Sequence, residues 1–300
     1  MHLPSDKERR PSIHAQNAKR ARLRIACPDR PGIVAGVSTW LASLGANIVQ
    51  SHQHSTHPES GLFFMRVEFD LPGIATRLPE LEQLFLPLAQ AFQMEWQLTW
   101  AGVQKRIAIF VSKELHCLSE LLWQWQVGDL DADLHVIVSN HRSAKPLADA
   151  SGIPFHHIPV TPDTKAEAER SQLNLVKDDI DLVVLARYMQ ILSGHFVQTL
   201  ENQIINIHHS FLPAFIGRDP YTRAYNRGVK LIGATAHYVT ESLDEGPIIE
   251  QDVDRVYHGH DIDDLKRIGR HVERTVLARA VAWHVEDKIL VHENKTIVFA

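Results

Sequence analysis

The sequence predicts an α/β protein with two domains, a small βαββαβ unit followed by a doubly wound, mostly parallel sheet. Three observations lead to this prediction. The chain has 300 residues, of which 44% are hydrophobic and 22% charged, which suits two globular domains. Strands and helices follow a βαββαβ order over residues 21–100, the ferredoxin-like pattern. From Lys105 onward, Val- and Ile-rich strands alternate with helices, as in a parallel sheet covered on both faces.

The first domain, residues 21–101, begins with an alternating strand at 21–28. A turn from Asp29 to Gly32 follows, in which we expect Asp29 to cap a helix. That helix is predicted by apolar residues at three- and four-residue spacing, Ile33, Val34, Val37, Trp40, Leu41 and Leu44, and Gly45 ends it. The later elements are strands at 47–56 and 61–71, a helix at 77–93 and a strand at 94–100. Residues 1–20 are polar and are expected to form a disordered leader.

The second domain is predicted over residues 105–300. Its first strands are expected at 106–113, 134–140, 154–161, 181–188 and 203–208. The helices between and after them are expected at 116–128, 143–151, 164–178 and 193–201. The last elements are strands at 230–240 and 247–256, a long helix at 261–286 and a hairpin-like tail.

Composition excludes several function classes. A net charge of -5 leaves no basic field for a nucleic-acid backbone, so no nucleic-acid partner is expected. No apolar run is long enough to span a bilayer, so no membrane partner is expected either. Cys27 and Cys117 form no CxxC pair, which fits a reducing cytoplasm. The nineteen histidines accompany no metal-binding spacing, so we predict no metal.

Candidate catalytic residues lie in the segment QIINIHHSFLPAFIG, residues 203–217. A strand there places Asn206, His208 and Ser210 on one face, at the carboxyl end where open α/β sheets bind ligands. An amide can donate to a developing oxyanion while an imidazole transfers protons near neutral pH. The alternative is that both side chains only satisfy backbone groups at the strand end.

A second candidate is Asp244, in the polar loop TESLDEGPII at residues 240–249. A carboxylate on such a loop could orient a histidine or a water molecule. Taken alone, an Asp beside Gly is as well explained as a turn residue.

Together these residues resemble a known family. Asn206-x-His208 followed by Asp244 in a DEGP loop is similar to the catalytic triad of the formyltetrahydrofolate-using formyltransferase superfamily. Several longer strings resemble the formyltetrahydrofolate deformylases in particular, at residues 112–122, 139–141, 185–193, 205–217 and 228–253. The PDRPGIV segment resembles the start of the ACT domain that these deformylases carry. The resemblance covers residues 21–300 almost completely.

The resemblance implies an enzyme that hydrolyses 10-formyltetrahydrofolate to formate and tetrahydrofolate, which balances the one-carbon pool and supplies formate for purine synthesis. It implies that Asn206 polarises the formyl oxygen, and it leaves open whether His208 or Asp244 is the base. The expected substrate-binding residues are Met189, Ile191, Leu192 and His237. No cofactor beyond the folate substrate is implied, and a homo-dimer or homo-tetramer is expected.

The acceptor of the formyl group needs a separate argument, because the superfamily also contains transferases. Those that act on glycinamide ribotide receive its phosphate on a glycine-rich loop after the first strand. Here that loop, residues 112–117, has no glycine and adds Glu114, which would repel a phosphate. We therefore expect water as the acceptor. The alternatives are transfer to an amine, or a regulator without catalysis, which the intact triad argues against.

The first domain is expected to bind an effector. ACT domains usually bind small amino acids near the turn between first strand and first helix, here Asp29, Gly32 and Ile33. Gly32 would let backbone amides approach a carboxylate at the helix N-terminus. Glycine or methionine, as products of the one-carbon pool, would be sensible effectors. The alternative is that the domain serves only in oligomer assembly.

Overall fold

The computed structural model describes residues 17–57, 61–213 and 220–300. The chain divides into two compact units. The first comprises residues up to Gln104 together with Glu286–Leu290 and Phe299–Ala300, and the second comprises Lys105–Val285 and Val291–Val298. The sequence places all of 105–300 in the second domain, whereas two short C-terminal segments cluster with the first unit.

The first unit has the predicted βαββαβ order. Its elements are β1 (Arg20–Pro28), α1 (Ile33–Ser43), β2 (Asn47–Ser55), β3 (Leu62–Asp70), α2 (Ile74–Phe92) and β4 (Glu95–Trp100). The sheet order is β2-β3-β1-β4, and all its neighbouring strands are antiparallel. Both helices bury their apolar faces against the sheet, with Phe85 ring centroids 4.8 Å from those of Trp40 and Trp96.

The leader prediction needs correction at its end. Strand β1 begins at Arg20, and residues 17–19 make contacts that a disordered segment would lack. Lys19 Nζ lies 3.0 Å from Asp70 Oδ2, and the Ala18 carbonyl accepts a hydrogen bond from Trp100 Nε1. Residues 1–16, the rest of the predicted leader, lie outside the described residues.

The C-terminal segment Glu286–Leu290 joins the first unit through charged side chains on its sheet. Arg66 on β3 is fully buried and donates to the backbone carbonyls of Asp287 and Glu286. Asp287 also lies 3.4 Å from Arg22 Nη1, and Glu68 lies 2.7 Å from Arg66 Nη2. Buried guanidinium groups need such partners, which explains why this short segment belongs to the first unit.

The second unit contains the predicted doubly wound sheet. Its strands are β5 (Lys105–Val111), β6 (Ala132–Ser139), β7 (Phe155–His157), β8 (Leu182–Leu185), β9 (Ile204–His208), β10 (Leu231–Tyr238) and β11 (Ile248–Arg255). Its helices are α3 (His116–Val127), α4 (Lys145–Ser151), α5 (Lys165–Val176), α6 (Gly194–Thr199), α7 (Pro220–Arg227) and α8 (Ile262–Val285), with a 3₁₀ turn at Arg142–Ala144 before α4. A two-stranded tail, β12 (Ile289–His292) and β13 (Lys295–Val298), ends the chain.

The strand order β11-β10-β9-β8-β5-β6-β7 places the reversal of winding between β5 and β8. Neighbours from β7 to β9 are parallel, and β10 is antiparallel to both β9 and β11. Ligands in such sheets bind at the carboxyl ends of the strands near this switch point. The loops after β5, β8 and β9 therefore converge on one edge. None of the helices in the described part of the chain is both long and apolar enough to cross a membrane.

Several elements differ from the prediction. Strand β7, expected at 154–161, covers only Phe155–His157. Strand β8 ends at Leu185, three residues early, because the chain turns away at Arg187, whose backbone is left-handed (φ 62°). Helix α7, Pro220–Arg227, has no counterpart in the prediction. Only eight residues long, it buries little besides Pro220 and Ala224, so it carries a weak apolar signal.

Candidate active site

Strand β9 delivers two of the predicted catalytic side chains to one cavity. Asn206 and His208 are two residues apart and therefore project to the same face. Both line a cavity of about 440 Å³ at the carboxyl edge of the sheet. Strand β10 adds His237, and the loops after β8 and β10 complete the cavity. Their residues include Arg187, Met189, Ile191, Leu192, Thr240, Glu241, Leu243 and Asp244. The structure thus brings the three catalytic candidates together with all four substrate-binding candidates.

His208 and Asp244 form the central pair of the cavity. His208 is 6% exposed, and its Nδ1 lies 3.3 Å from Asp244 Oδ2. Its Nε2 is buried and has no hydrogen-bond partner among the described residues. Asp244 reaches the histidine from a tight loop in which a Cβ at Gly246 would lie 1.9 Å from the Tyr238 carbonyl oxygen, so only glycine fits there. The arrangement leaves one imidazole nitrogen available for a bound molecule.

The charge state of Asp244 follows from its surroundings. Burial alone would raise the pKa of this carboxyl group. The hydrogen bond from His208 and its electrostatic interaction, with smaller contributions from His237 and His209, outweigh burial and hold the pKa of Asp244 below its usual range. Asp244 is therefore a carboxylate at neutral pH and a weak base.

His237 fixes the amide of Asn206. The two residues are cross-strand neighbours on β10 and β9. Burial lowers the pKa of His237, so the ring is neutral, and its Nδ1 donates to the Tyr238 carbonyl at 2.9 Å. Its Nε2 is then an acceptor, and Asn206 Nδ2 lies 3.3 Å from it. One N–H of Asn206 is thereby held by His237, and the second can donate to a ligand in the cavity.

The loop after β8 forms the apolar side of the cavity. Met189 is 57% exposed and Ile191 is 60% exposed, while Leu192 is half-buried. Two hydrogen bonds of Ser112 hold the loop in place. Its Oγ accepts a hydrogen bond from Met189 N at 3.0 Å and donates one to Asn140 Oδ1 at 2.8 Å. Exposed apolar side chains on a fixed loop are typical of a site for a flat, partly apolar ligand.

Four residues beside the cavity were not predicted from the sequence. Arg187 Nε lies 3.4 Å from Glu273 Oε2. Glu273 also accepts hydrogen bonds from His116 Nε2 at 2.8 Å and from the Tyr221 hydroxyl at 2.6 Å. We call these four residues the Arg187 cluster. The one available signal was Glu273 itself, a charged residue beside Val272 and four positions before Leu277 on the apolar face of α8.

The one group of metal-binding side chains found among the described residues shares two members with this cluster. His116, Cys117 and Glu273 offer ligand atoms within 4.8 Å of one another. Burial raises the pKa of the Cys117 thiol well above its usual value, and Glu273 is already neutralised by Arg187. A cation would have to displace the guanidinium and ionise the thiol, so the donor set does not favour a metal.

His209 provides a prediction about stability. Burial, followed by the charge of Arg187, lowers the pKa of His209 from 6.5 to about 4. Between these pH values the unfolded chain binds a proton that the folded protein excludes, so stability must fall as the pH falls. We expect His209→Gln to make this fall shallower, by at most about 1.4 kcal/mol per pH unit. Urea unfolding at several pH values tests this, and an unchanged slope would contradict it.

The predicted effector residues lie in the first unit. Gly32 is the N-cap of α1 and is left-handed (φ 98°), as its predicted role requires. The expectation that Asp29 caps the helix is wrong, because its carboxylate instead accepts a hydrogen bond from Ser55 Oγ on β2. The side chain of Ile33 is 2% exposed in the core, so only its backbone could contact an effector.

Two family models match the sequence. A formyl transferase model matches residues 105–281, and an ACT domain model matches residues 21–86. The first match contains the whole cavity described above, and the second contains the α1 N-terminus. The matches confirm the expected pairing of an ACT domain with a formyltransferase-type sheet.

Individual relatives are similar over nearly the whole chain. A formyltetrahydrofolate deformylase from Bacillus subtilis (strain 168) is 57% identical over 284 residues, covering 94% of this chain and 95% of the relative. The crystal structure of one from Pseudomonas syringae pv. tomato matches with a TM-score of 0.90 at 47% identity, covering 96% of this chain and 98% of that one. Another, from Burkholderia mallei, matches with a TM-score of 0.87 at 42% identity, covering 94% and 100%.

Proposed function

The chain belongs to the formyltetrahydrofolate deformylase family, and we propose from this premise that it hydrolyses 10-formyltetrahydrofolate to formate and tetrahydrofolate. The observation that carries the proposal is the convergence of Asn206, His208 and Asp244 on one cavity. An amide donor, a histidine with a free nitrogen and a carboxylate behind it are the groups that addition of water to a formyl carbon requires.

Asn206 stabilises the charge that develops on the formyl oxygen. Because His237 holds one N–H of its amide, the second N–H has a fixed direction into the cavity. A fixed donor stabilises an oxyanion without reorganising during the reaction. His237 is therefore a positioning residue that acts through Asn206.

His208 transfers the proton. Its Nδ1 is held by Asp244, so Nε2 takes a proton from water as the oxygen bonds to the formyl carbon. The same nitrogen then returns the proton to N10 of the folate as the C–N bond breaks, which releases formate and tetrahydrofolate. The lowered pKa of Asp244 supports an orienting role for the carboxylate, with His208 as the proposed base.

The pterin lies against the loop after β8, with Met189, Ile191 and Leu192 as apolar contacts. The exposure of Met189 and Ile191 supports this placement, because a flat ring would bury both. The step requires no metal and no cofactor besides the folate substrate. A cytoplasmic location fits the two buried free cysteines, Cys27 and Cys117.

The competing function is formyl transfer to glycinamide ribotide. The loop after β5 argues against it, because its polar groups are already engaged within the protein. Ser112 N donates to the Arg187 carbonyl at 3.3 Å, and Glu114 lies 4.0 Å from His116. These groups are not free to cradle a phosphate.

One experiment separates the two functions. The purified protein is incubated with 10-formyltetrahydrofolate, with and without millimolar glycinamide ribotide, and the products are followed by mass spectrometry. We expect equal amounts of formate and tetrahydrofolate in both mixtures, with no slowing by the ribotide. Formylated ribotide as the main product would refute hydrolysis.

The first domain is proposed to sense an amino acid and to assemble a homo-dimer or homo-tetramer. At Gly32 a Cβ would be 3.6 Å from the Phe92 ring, on a backbone with φ of 98°. Gly32 and Ile33 then present backbone amides to a carboxylate at the start of α1, whereas the amide of Asp29 already donates to the Gly61 carbonyl at 2.9 Å. Glycine and methionine are the first effectors to test.

We expect at least one amino acid to change the rate of formate release, and Gly32→Val to weaken that response while catalysis persists. Gly73→Val is the matched control, because Gly73 is also a left-handed N-cap (φ 76°) in this unit, on α2. The rate is measured with each of the twenty amino acids for wild type and both variants. If no amino acid alters the rate or binds by calorimetry, the domain serves in assembly alone.

A further inference from the structure

The Arg187 cluster places a fixed cation at the wall of the catalytic cavity. Arg187 is the one Lys or Arg among the described residues that line the cavity. Its side chain is 13% exposed, and Glu273, its partner, is 1% exposed and lies behind it, outside the set of lining residues. A guanidinium remains protonated throughout the physiological pH range, so this charge is permanent.

The backbone and three helices hold Arg187 in this position. Its φ of 62° is left-handed, a conformation that residues with a side chain rarely adopt unless their surroundings fix them. The Arg187 carbonyl accepts from Ser112 N, and Glu273 is itself held by His116 of α3 and Tyr221 of α7. Charge attraction and two hydrogen bonds outweigh burial and lower the pKa of Glu273, so the ion pair persists at neutral pH.

The cation acts next to the catalytic histidine. Burial and the charge of Arg187 together keep His209 neutral, and the His209 ring stacks on His208 with centroids 5.4 Å apart. The positive charge therefore lies in the wall of the same cavity as His208, the proposed acceptor of a proton from water. Of the two carboxylates that line the cavity, Asp244 is paired with His208, and Glu241 accepts from Gln198.

We propose that Arg187 restricts the acceptor of the formyl group to water. Primary amines are mostly protonated at neutral pH, so an amine acceptor would approach the cavity as a cation and be repelled by Arg187. As part of the cavity wall, the Arg187 side chain would also leave less room for an amine and its substituent than for water. Water is small and neutral, so neither the charge nor the size of Arg187 excludes it. The inference rests on the proposed hydrolysis and names the residue that excludes transfer.

The chemistry of the two outcomes differs in one atom. In hydrolysis the water oxygen bonds to the formyl carbon, the bond from that carbon to N10 breaks, and N10 gains a proton. In transfer an amine nitrogen would form the new bond instead, and the product would be a formamide. The ratio of formamide to formate therefore measures the selectivity directly.

Three substitutions separate charge from size. Arg187→Gly removes both the charge and the side-chain volume, and glycine suits the left-handed backbone at this position. Arg187→Met removes the charge but keeps most of the volume. Arg187→Lys keeps the charge. Because Arg187→Gly leaves Glu273 buried without its cation, it is also made together with Glu273→Gln. Melting curves and circular dichroism establish which variants are folded.

Each folded variant is incubated with 10-formyltetrahydrofolate and millimolar glycinamide, which is largely cationic, or methoxyamine, which is neutral. We expect formate alone from the wild type and from Arg187→Lys. Arg187→Gly, alone or with Glu273→Gln, should raise the ratio of formamide to formate at least about tenfold for both amines. Arg187→Met should raise it mainly for glycinamide.

An unchanged ratio in the folded glycine and methionine variants would overturn the proposal. So would a folded glycine variant that neither hydrolyses nor transfers, since Arg187 would then belong to the catalytic groups. Wild-type protein without an amine tests the proposed function separately. If it releases no formate, hydrolysis is refuted, whereas normal release with unchanged ratios refutes only the role of Arg187.

Discussion

His208→Ala is expected to lower kcat for formate release by about 10²–10⁴-fold, the usual contribution of a general acid–base group. The reason is that Nε2 of His208, which has no hydrogen-bond partner among the described residues, is the proposed atom that takes a proton from water and returns it to N10. The loss should appear in kcat rather than in KM, because the proposed folate contacts are with the cavity-lining residues of the loop after β8. Steady-state formate release measures the effect.

The matched control is His195→Ala, at an exposed histidine on α6 that does not line the cavity. It should retain wild-type turnover. Adding Asp244→Ala to His208→Ala should cost little more, since Asp244 acts through the histidine that is already missing. A folded His208→Ala protein with near-normal kcat would refute the assignment, and fully additive losses would refute the orienting role of Asp244.

Asn206→Ala is expected to lower kcat by about 10²–10³-fold, the usual cost of losing one oxyanion donor. The amide stabilises the transition state more than the substrate, because the formyl oxygen gains charge only as water adds. Thermal melts should resemble those of the wild type, as Asn206 is only partly buried and its side-chain partner is His237.

Gln203→Ala is the control for this substitution, because Gln203 is an exposed amide just before β9. The readout is again steady-state turnover, with KM measured alongside. A rise in KM with unchanged kcat would mean that Asn206 only binds the folate, and the oxyanion role would then be wrong.

The catalytic strand could be predicted because its signal is local. Alternation within β9 places Asn206 and His208 on one face whatever else surrounds them. The general rule for open α/β sheets then puts that face at the ligand-binding edge. Asp244 could be added only through the family resemblance, since an Asp beside Gly is also an ordinary turn residue.

The Arg187 cluster could not be predicted because its members meet only through the tertiary structure. Arg187, Glu273, His116 and Tyr221 lie on separate elements, and no spacing in the sequence links them. The prediction that Asp29 caps the first helix was wrong for a related reason. Local preference favours Asp as a helix cap, but its actual partner, Ser55, is on another strand.

Isotopic labelling tests most directly whether water is the acceptor of the formyl group. The wild-type protein is given 10-formyltetrahydrofolate in water enriched in ¹⁸O, and formate is analysed by mass spectrometry within a single turnover. We predict formate with one solvent-derived oxygen, released in equal amount with tetrahydrofolate, and almost none from His208→Ala in the same time. Unlabelled formate, or consumption of the folate without formate, would contradict the account.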